Sequence, residues 1–185
     1  MTAWEIKGWC PGALRPMQSG DGLVVRIRPP LGRLTPAQAA AIAHASETYG
    51  NGIIDLSARA NLQLRGVTEA SHPQLIEDLR AQGLIDPDIE TETLRNLIVT
   101  PFRDADTTQL ADTLTAALAG MPSLPGKFGF ALDTSTRPVL TQASADIRIE
   151  RSADGRLILR PDGHPLGQPV TDLAQDAIAM ANWFV

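Results

Sequence analysis

Residues 52–67, GIIDLSARANLQLRGV, constrain this chain more than any other stretch. Ile54, Leu56, Ala58, Leu62 and Leu64 take one parity, and Asp55, Ser57, Arg59, Asn61, Gln63 and Arg65 take the other. Successive side chains leave opposite sides of a pleated strand. Alternation at period two therefore describes a strand or hairpin with one face on a core and one face open. The open face is made of Ser, Arg, Asn and Gln, which grip anions, where a merely solvated strand would more often carry Lys, Glu and Thr. It is expected to face an anionic ligand.

The flanking sequence places this hairpin in a larger unit. Residues 23–28 read as a strand with Leu23, Val25 and Ile27 on one side and Val24, Arg26 and Arg28 on the other. Thr35 caps a predicted helix with Pro36 at its first position, running to about Tyr49 and stopped by Gly50. Ala39, Ala40, Ile42 and Ala43 give that helix a flat face suited to packing on a sheet. Ser71 is the expected cap of a second helix, with Leu75, Ile76 and Leu79 inward and Gly83 at its end. The order β-α-β-β-α is most of a ferredoxin-like βαββαβ unit.

The predicted fold class is α+β, a ferredoxin-like half domain followed by the start of a larger mixed α/β domain. The expected divisions are an arm over residues 1–20, the half domain over 21–88 and the larger domain over 89–185. The polar bridge IDPDIETE marks the boundary, and its acidic residues 86–92 read as a solvated linker. Beyond it come a short strand at 94–99, a helix at 107–119 ended by Gly120, and strands at 128–132, 145–150 and 157–160. An Asp154-Gly155 turn joins the last two strands. The closing TDLAQDAIAMANWFV begins like a capped helix. Ending in Trp183-Phe184-Val185 with no helix stop or polar tail, it reads as the cut end of a longer protein.

Composition limits the function classes. With 185 residues, 43% apolar and 20% charged, the chain reads as globular and cytoplasmic, with no run of membrane-span length and no signal-peptide pattern. A net charge of −5 argues against nucleic-acid and membrane-surface partners. Of the 16 basic residues only Lys7 and Lys127 are lysine, which leaves 14 arginines. GC-rich coding alone would raise that count, but it does not choose positions. The guanidinium fork pairs bidentately with carboxylates, and Arg28, Arg59, Arg95 and Lys127 all fall at ends of predicted strands, where α+β folds commonly place sites. His44, His72 and His164 lack metal-ligand spacing, and Cys10 in GWCPG has no visible base partner. No nucleophile elbow, phosphate loop or dinucleotide fingerprint is present.

Four segments carry a family resemblance: CPGALRPMQSGDGLVVRIRP, YGNGIIDLSARANLQLRGV, LRNLIVTPF and LPGKFGFALD, in that order over about residues 9–133. With them the chain resembles the first half of the nitrite and sulfite reductases, and within that superfamily it looks most like the precorrin-3B synthases of cobalamin biosynthesis. The resemblance implies two ferredoxin-like half domains and two larger α/β domains around a tetrapyrrole and a [4Fe-4S] cluster. It assigns Ser57, Arg59 and Gln63 to tetrapyrrole carboxylates, and Arg28, Arg95 and Lys127 to the reaction centre. Two positions depart from the siroheme reductases: Asp55 stands where they carry an arginine, and Gly129 replaces the second lysine of their Lys-x-Lys pair.

A site with a weaker positive field suits oxygen-dependent hydroxylation and lactone formation on precorrin-3A better than reduction of an oxyanion. The family's four cluster cysteines lie in its C-terminal half, so with only Cys10 this chain is expected to hold no cluster, no metal and no complete catalytic centre by itself. Its expected partners are the tetrapyrrole and either the C-terminal half of the same protein or a second copy. Two alternatives stand beside this: a stand-alone tetrapyrrole-binding or assembly protein, and a fragment of a siroheme nitrite or sulfite reductase with siroheme as the bound group.

Overall fold

Two separate hydrophobic cores divide the chain into two units, here described by a computed structural model over residues 10–185. The expected arm lies partly outside the described residues, including Trp4 and Trp9.

The first unit is an antiparallel sheet carrying two helices. Its strands are β1 (Met17–Ser19), β2 (Gly22–Ile27), β3 (Ile54–Leu56) and β4 (Leu62–Val67), in the order β1-β2-β4-β3. Strand β1 lies where an arm was expected. It is short, and it pairs with β2 through a turn at Gly20–Asp21. The helices are α1 (Pro36–Tyr49) and α2 (His72–Ala81). Val25, Ile27 and Leu64 point to the helix side and are fully buried with Leu75 and Leu79. Burial of such side chains is worth about 1.5–3 kcal/mol each.

Local chemistry explains the helix ends. Thr35 and Gln38 form a reciprocal capping box at the start of α1, and Pro36 stands at its first position. The buried face of α1 is Ile42, Ala45 and Ser46, whereas Ala39, Ala40 and Ala43 are exposed, contrary to the expectation from the alanine run. Alanine is apolar enough to suggest a core face, yet too small to decide it against Ile42. At α2 the Ser71 side chain does not cap the helix. Thr68 and Ser71 instead cap one another across one turn: the Ser71 N–H donates to Thr68 Oγ1 at 3.0 Å and the Thr68 N–H to Ser71 Oγ at 3.1 Å. Gly83 and Leu84 donate to the carbonyls of Arg80 and Leu79, which closes α2 in a Schellman motif.

One bulge shifts the register between β2 and β4. Leu23 pairs with Val67 and Val25 with Leu64, so Val24 is spanned by both Arg65 and Gly66. Gly66 has φ +68°, and a Cβ there would lie 2.7 Å from Asn51. Glycine is required at this position on both counts.

The second unit begins near the short helix α3 (Ile89–Leu94) and is a mixed sheet ordered β5-β6-β7-β8-β9. Its strands are β5 (Leu97–Val99), β6 (Phe130–Asp133), β7 (Ile147–Arg151), β8 (Leu157–Pro161) and β9 (Gln168–Pro169). The first three are mutually parallel and the rest antiparallel. Helices α4 (Ala105–Ala117) and α5 (Leu173–Phe184) pack together and bury Ala111, Leu114, Ala177 and Ala181 against Phe130, Leu132, Ile147 and Ile149. Asp104 and Asp172 cap these helices by accepting from the Thr107 and Gln175 amides. Residues 30–33 and 58–60 pack as part of this second unit. Among the described residues no helix is long and apolar enough to cross a membrane.

Candidate functional site

In the first unit the polar parity of the hairpin forms one face of the sheet. Arg26, Gln63 and Asp55 stand side by side across β2, β4 and β3. Arg26 donates to Gln63 Oε1 from Nη2 at 2.8 Å and from Nε at 3.3 Å. Arg26 thus occupies the amide oxygen of Gln63. Beside it, Arg65 grips Asp21 at 2.8 Å and reaches Asp55 at 3.7 Å. The hydrogen-bonded Arg65 holds the Asp21 carboxyl below its ordinary range. The face therefore contains anion-gripping groups, but two carboxylates temper its positive charge.

Not every apolar residue of the hairpin lies on the core. Ile54 and Leu64 follow the predicted parity, while Leu56 is 82% exposed and Ala58 is exposed. The alternation stops being informative where β3 ends. There Ser57 closes the turn: its N–H donates to the Asn61 carbonyl at 2.9 Å and its Oγ accepts from the Asn61 N–H at 3.2 Å. The three residues between, 58–60, end in Ala60 at φ +55°, as three-residue hairpin loops commonly do.

In the second unit Arg59 and Lys127 come together. The Arg59 guanidinium donates from Nη1 to the Lys127 carbonyl at 2.8 Å and from Nη2 to Ser144 Oγ at 3.0 Å. The backbone around Lys127 is held at every peptide. The Pro125 carbonyl accepts from the Phe128 N–H at 2.8 Å. Asn96 Nδ2 donates to the carbonyls of Gly126 at 3.1 Å and Phe128 at 3.0 Å. The Gly129 N–H donates to Asp146 Oδ2 at 2.8 Å. Lys127 is exposed, so a fixed backbone presents a solvated ammonium.

The six residues assigned from the sequence are thus distributed between the units. Ser57, Gln63 and the buried Arg28 belong to the first; Arg59, Arg95 and Lys127 belong to the second. Arg95 immediately precedes Asn96 and strand β5.

Sequence reasoning missed four polar residues that hold this architecture, Glu92, Asn96, Asp133 and Arg148, all at most 9% exposed. Glu92 was expected in a solvated linker. Instead it is buried, with its carboxylate accepting the amides of Ala13 and Leu14. Burying a carboxylate requires such donors, and two backbone N–H groups supply them. Gly12 is matched to it, because a Cβ there would fall 2.5 Å from Glu92 Oε2. His72 Nε2 also lies 2.9 Å from the Ala13 carbonyl, so the turn after Cys10 is secured from two elements. Arg148 alone had a signal in the sequence, the alternation of Ile147 and Ile149 with Arg148 and Glu150.

Residues 15–82 match the nitrite/sulfite reductase ferredoxin-like half domain, and the order β2-α1-β3-β4-α2 that follows β1 in the first unit agrees with it. That segment belongs to this family. The chain is also similar to a precorrin-3B synthase of Sinorhizobium sp, at 37% identity over 153 residues, covering 78% of this chain and 32% of that protein. A ferredoxin–nitrite reductase of Synechococcus elongatus is 34% identical over 133 residues, 64% of this chain and 26% of that protein. The chloroplastic ferredoxin–nitrite reductase of Zea mays is 33% identical over 91 residues, 49% of this chain and 16% of that protein. The chain spans about a third or less of the length of these relatives.

Proposed function

We propose that this chain is the N-terminal portion of a precorrin-3B synthase-like oxidoreductase, working in the cytoplasm on a polycarboxylate tetrapyrrole. Its substrate would be precorrin-3A, hydroxylated and closed to a lactone with oxygen. Ser57, Arg59 and Gln63 hold macrocycle carboxylates in this reading, and Arg28, Arg95 and Lys127 serve the reaction centre. Charge-assisted hydrogen bonds contribute about 1.5–3 kcal/mol each, so a few suffice to retain a polycarboxylate.

The observation that carries the choice of reaction is Asp55. Its carboxylate stands opposite Gln63 in the strand register and 3.7 Å from Arg65, where the resemblance puts an arginine in siroheme reductases. A negative group there lowers the field that oxyanion reduction requires. Gly129 supports the same reading: a Cβ on it would lie 3.2 Å from the Asn96 carbonyl, which leaves little room for a second lysine.

The iron–sulfur cluster of the family does not fit this polypeptide. Four thiolates are needed and the sequence has the single Cys10. The described residues also contain no group of three or more His, Cys, Asp or Glu side chains placed to hold a metal. The cluster belongs to the C-terminal half in this proposal, and that half is the expected partner.

The test is to express the chain with its downstream coding region and add precorrin-3A or siroheme. Retention of precorrin-3A on a sizing column, visible in the absorption spectrum and weakened by Arg59→Ala, is the expected result. Failure to retain any tetrapyrrole would overturn the assignment, and retention of siroheme alone would move it to the reductases.

A further inference from the structure

A second candidate site lies within the second unit, at the carboxyl ends of its parallel strands. Strands β5, β6 and β7 run the same way, and the segments leaving them enclose a cleft of about 850 Å³. Phe102 enters it from beyond β5, Thr136 and Arg137 from beyond β6, and Arg151 from the end of β7. Asp104, the cap of α4, completes it. Arg95 and Lys127 precede β5 and β6, so they lie at the other ends of these strands. Ligands of open α/β sheets bind outside the carboxyl ends of parallel strands, and this volume falls within the range of small-molecule sites.

The loop that forms one wall is built in advance. Asp133, 4% exposed at the end of β6, accepts from the Val139 N–H at 2.6 Å, the Leu140 N–H at 2.8 Å and Ser135 Oγ at 2.7 Å. Arg148 fixes the far side of the same loop through the Leu140 carbonyl at 2.8 Å and the Ala143 carbonyl at 2.6 Å. Opposite, Arg151 Nη1 donates to the Gly155 carbonyl at 3.0 Å, which steadies the guanidinium at the rim. Thr107 donates to Asp104 from its N–H and Oγ1, so that carboxyl lies below its ordinary range, with a smaller contribution from Arg151.

We infer that this cleft binds a nucleoside phosphate. Three parts of such a ligand have counterparts. Arg137 and Arg151 offer planar forks to a phosphate. Asp104 and Thr136 offer acceptors for sugar hydroxyls. Phe102, 70% exposed, offers a ring face for a flat base. An inorganic anion would use the arginines but leave the ring and the carboxylate idle. This inference is independent of the tetrapyrrole assignment.

The test is titration of the 185-residue chain with AMP, adenosine, ribose 5-phosphate and inorganic phosphate, followed by calorimetry and amide NMR. AMP should bind at least about tenfold more tightly than the other three, with shifts at Phe102, Thr136 and Arg137. Phe102→Ala should weaken AMP but leave ribose 5-phosphate unchanged, and the double variant Arg137→Ala/Arg151→Ala should abolish binding of both. The inference fails if AMP gives no shift in the cleft, if inorganic phosphate binds as tightly as AMP, or if AMP binding survives the double variant. Should the double variant unfold, the ranking of the four ligands on the parent chain decides alone.

Discussion

Within the second unit the guanidinium of Arg59 donates to the backbone carbonyl of Lys127 at 2.8 Å, tying residues 58–60 to the loop that carries the lysine. Arg59 is therefore a positioning group within the protein as well as a candidate carboxylate ligand. Replacing it by alanine should free the loop while leaving the buried sheet intact. Losing one such hydrogen bond costs about 0.5–1.5 kcal/mol, so amide exchange at Phe128 and Gly129 should rise severalfold. Arg59→Lys should restore little, because a point ammonium cannot span Lys127 and Ser144 as the fork does. Unchanged exchange in both variants would refute the role.

Asn96 should be the most sensitive polar residue of the second unit. Its amide also donates to the Thr93 carbonyl, and its removal leaves three carbonyls short of a donor. Asn96→Ala is expected to cost about 2–3 kcal/mol in urea unfolding. Asn96→Asp should be no better, since a carboxylate would face three carbonyl oxygens.

Gly12 and Glu92 should be coupled. Gly12→Ala places a methyl against the Glu92 carboxylate, and Glu92→Ala leaves the Ala13 and Leu14 amides unmatched. Each substitution should destabilise on its own. The alanine at position 12 should cost less when Glu92 is already alanine, with a coupling of about 1–2 kcal/mol in the double-mutant cycle. Strict additivity would show that the carboxylate does not approach position 12.

Asp21 gives a pH signature. Its carboxyl is lowered from an ordinary value of 3.8 by the hydrogen bond from Arg65. A carboxyl with a depressed folded-state pKa stabilises the fold above its ordinary value, and that contribution disappears as pH falls through the folded value. Asp21→Asn should therefore unfold at lower denaturant than the parent near neutrality, and the gap should close at pH values below 3.8. A gap that persists in acid would mean that Asp21 acts through packing.

Much of the fold was legible because the elements end on local chemistry. Thr35, Pro36 and Gly50 bounded α1 as written, and the Asp154-Gly155 turn joined β7 to β8. The residues that misled were those whose role depends on distant partners. Ala39, Ala40 and Ala43 looked like a packing face, yet the sheet took Ile42 and Ala45. Ser71 looked like a cap, yet Thr68 was near enough to exchange hydrogen bonds with it. Glu92 sat in an acidic run that any local reading assigns to solvent.

By itself the sequence determined the order of elements, the hairpin with its polar parity, the resemblance carried by its four segments, and the departures at Asp55 and Gly129. Periodicity, caps and motifs all act over a few residues, and a chain displays them without folding. Only the tertiary structure decided which polar groups are occupied by protein. Arg65 is spent on Asp21, the Gln63 oxygen is taken by Arg26, and Arg59 holds the backbone beside Lys127. Such pairings join residues tens of positions apart, and their strength depends on distance and burial, which no local pattern encodes.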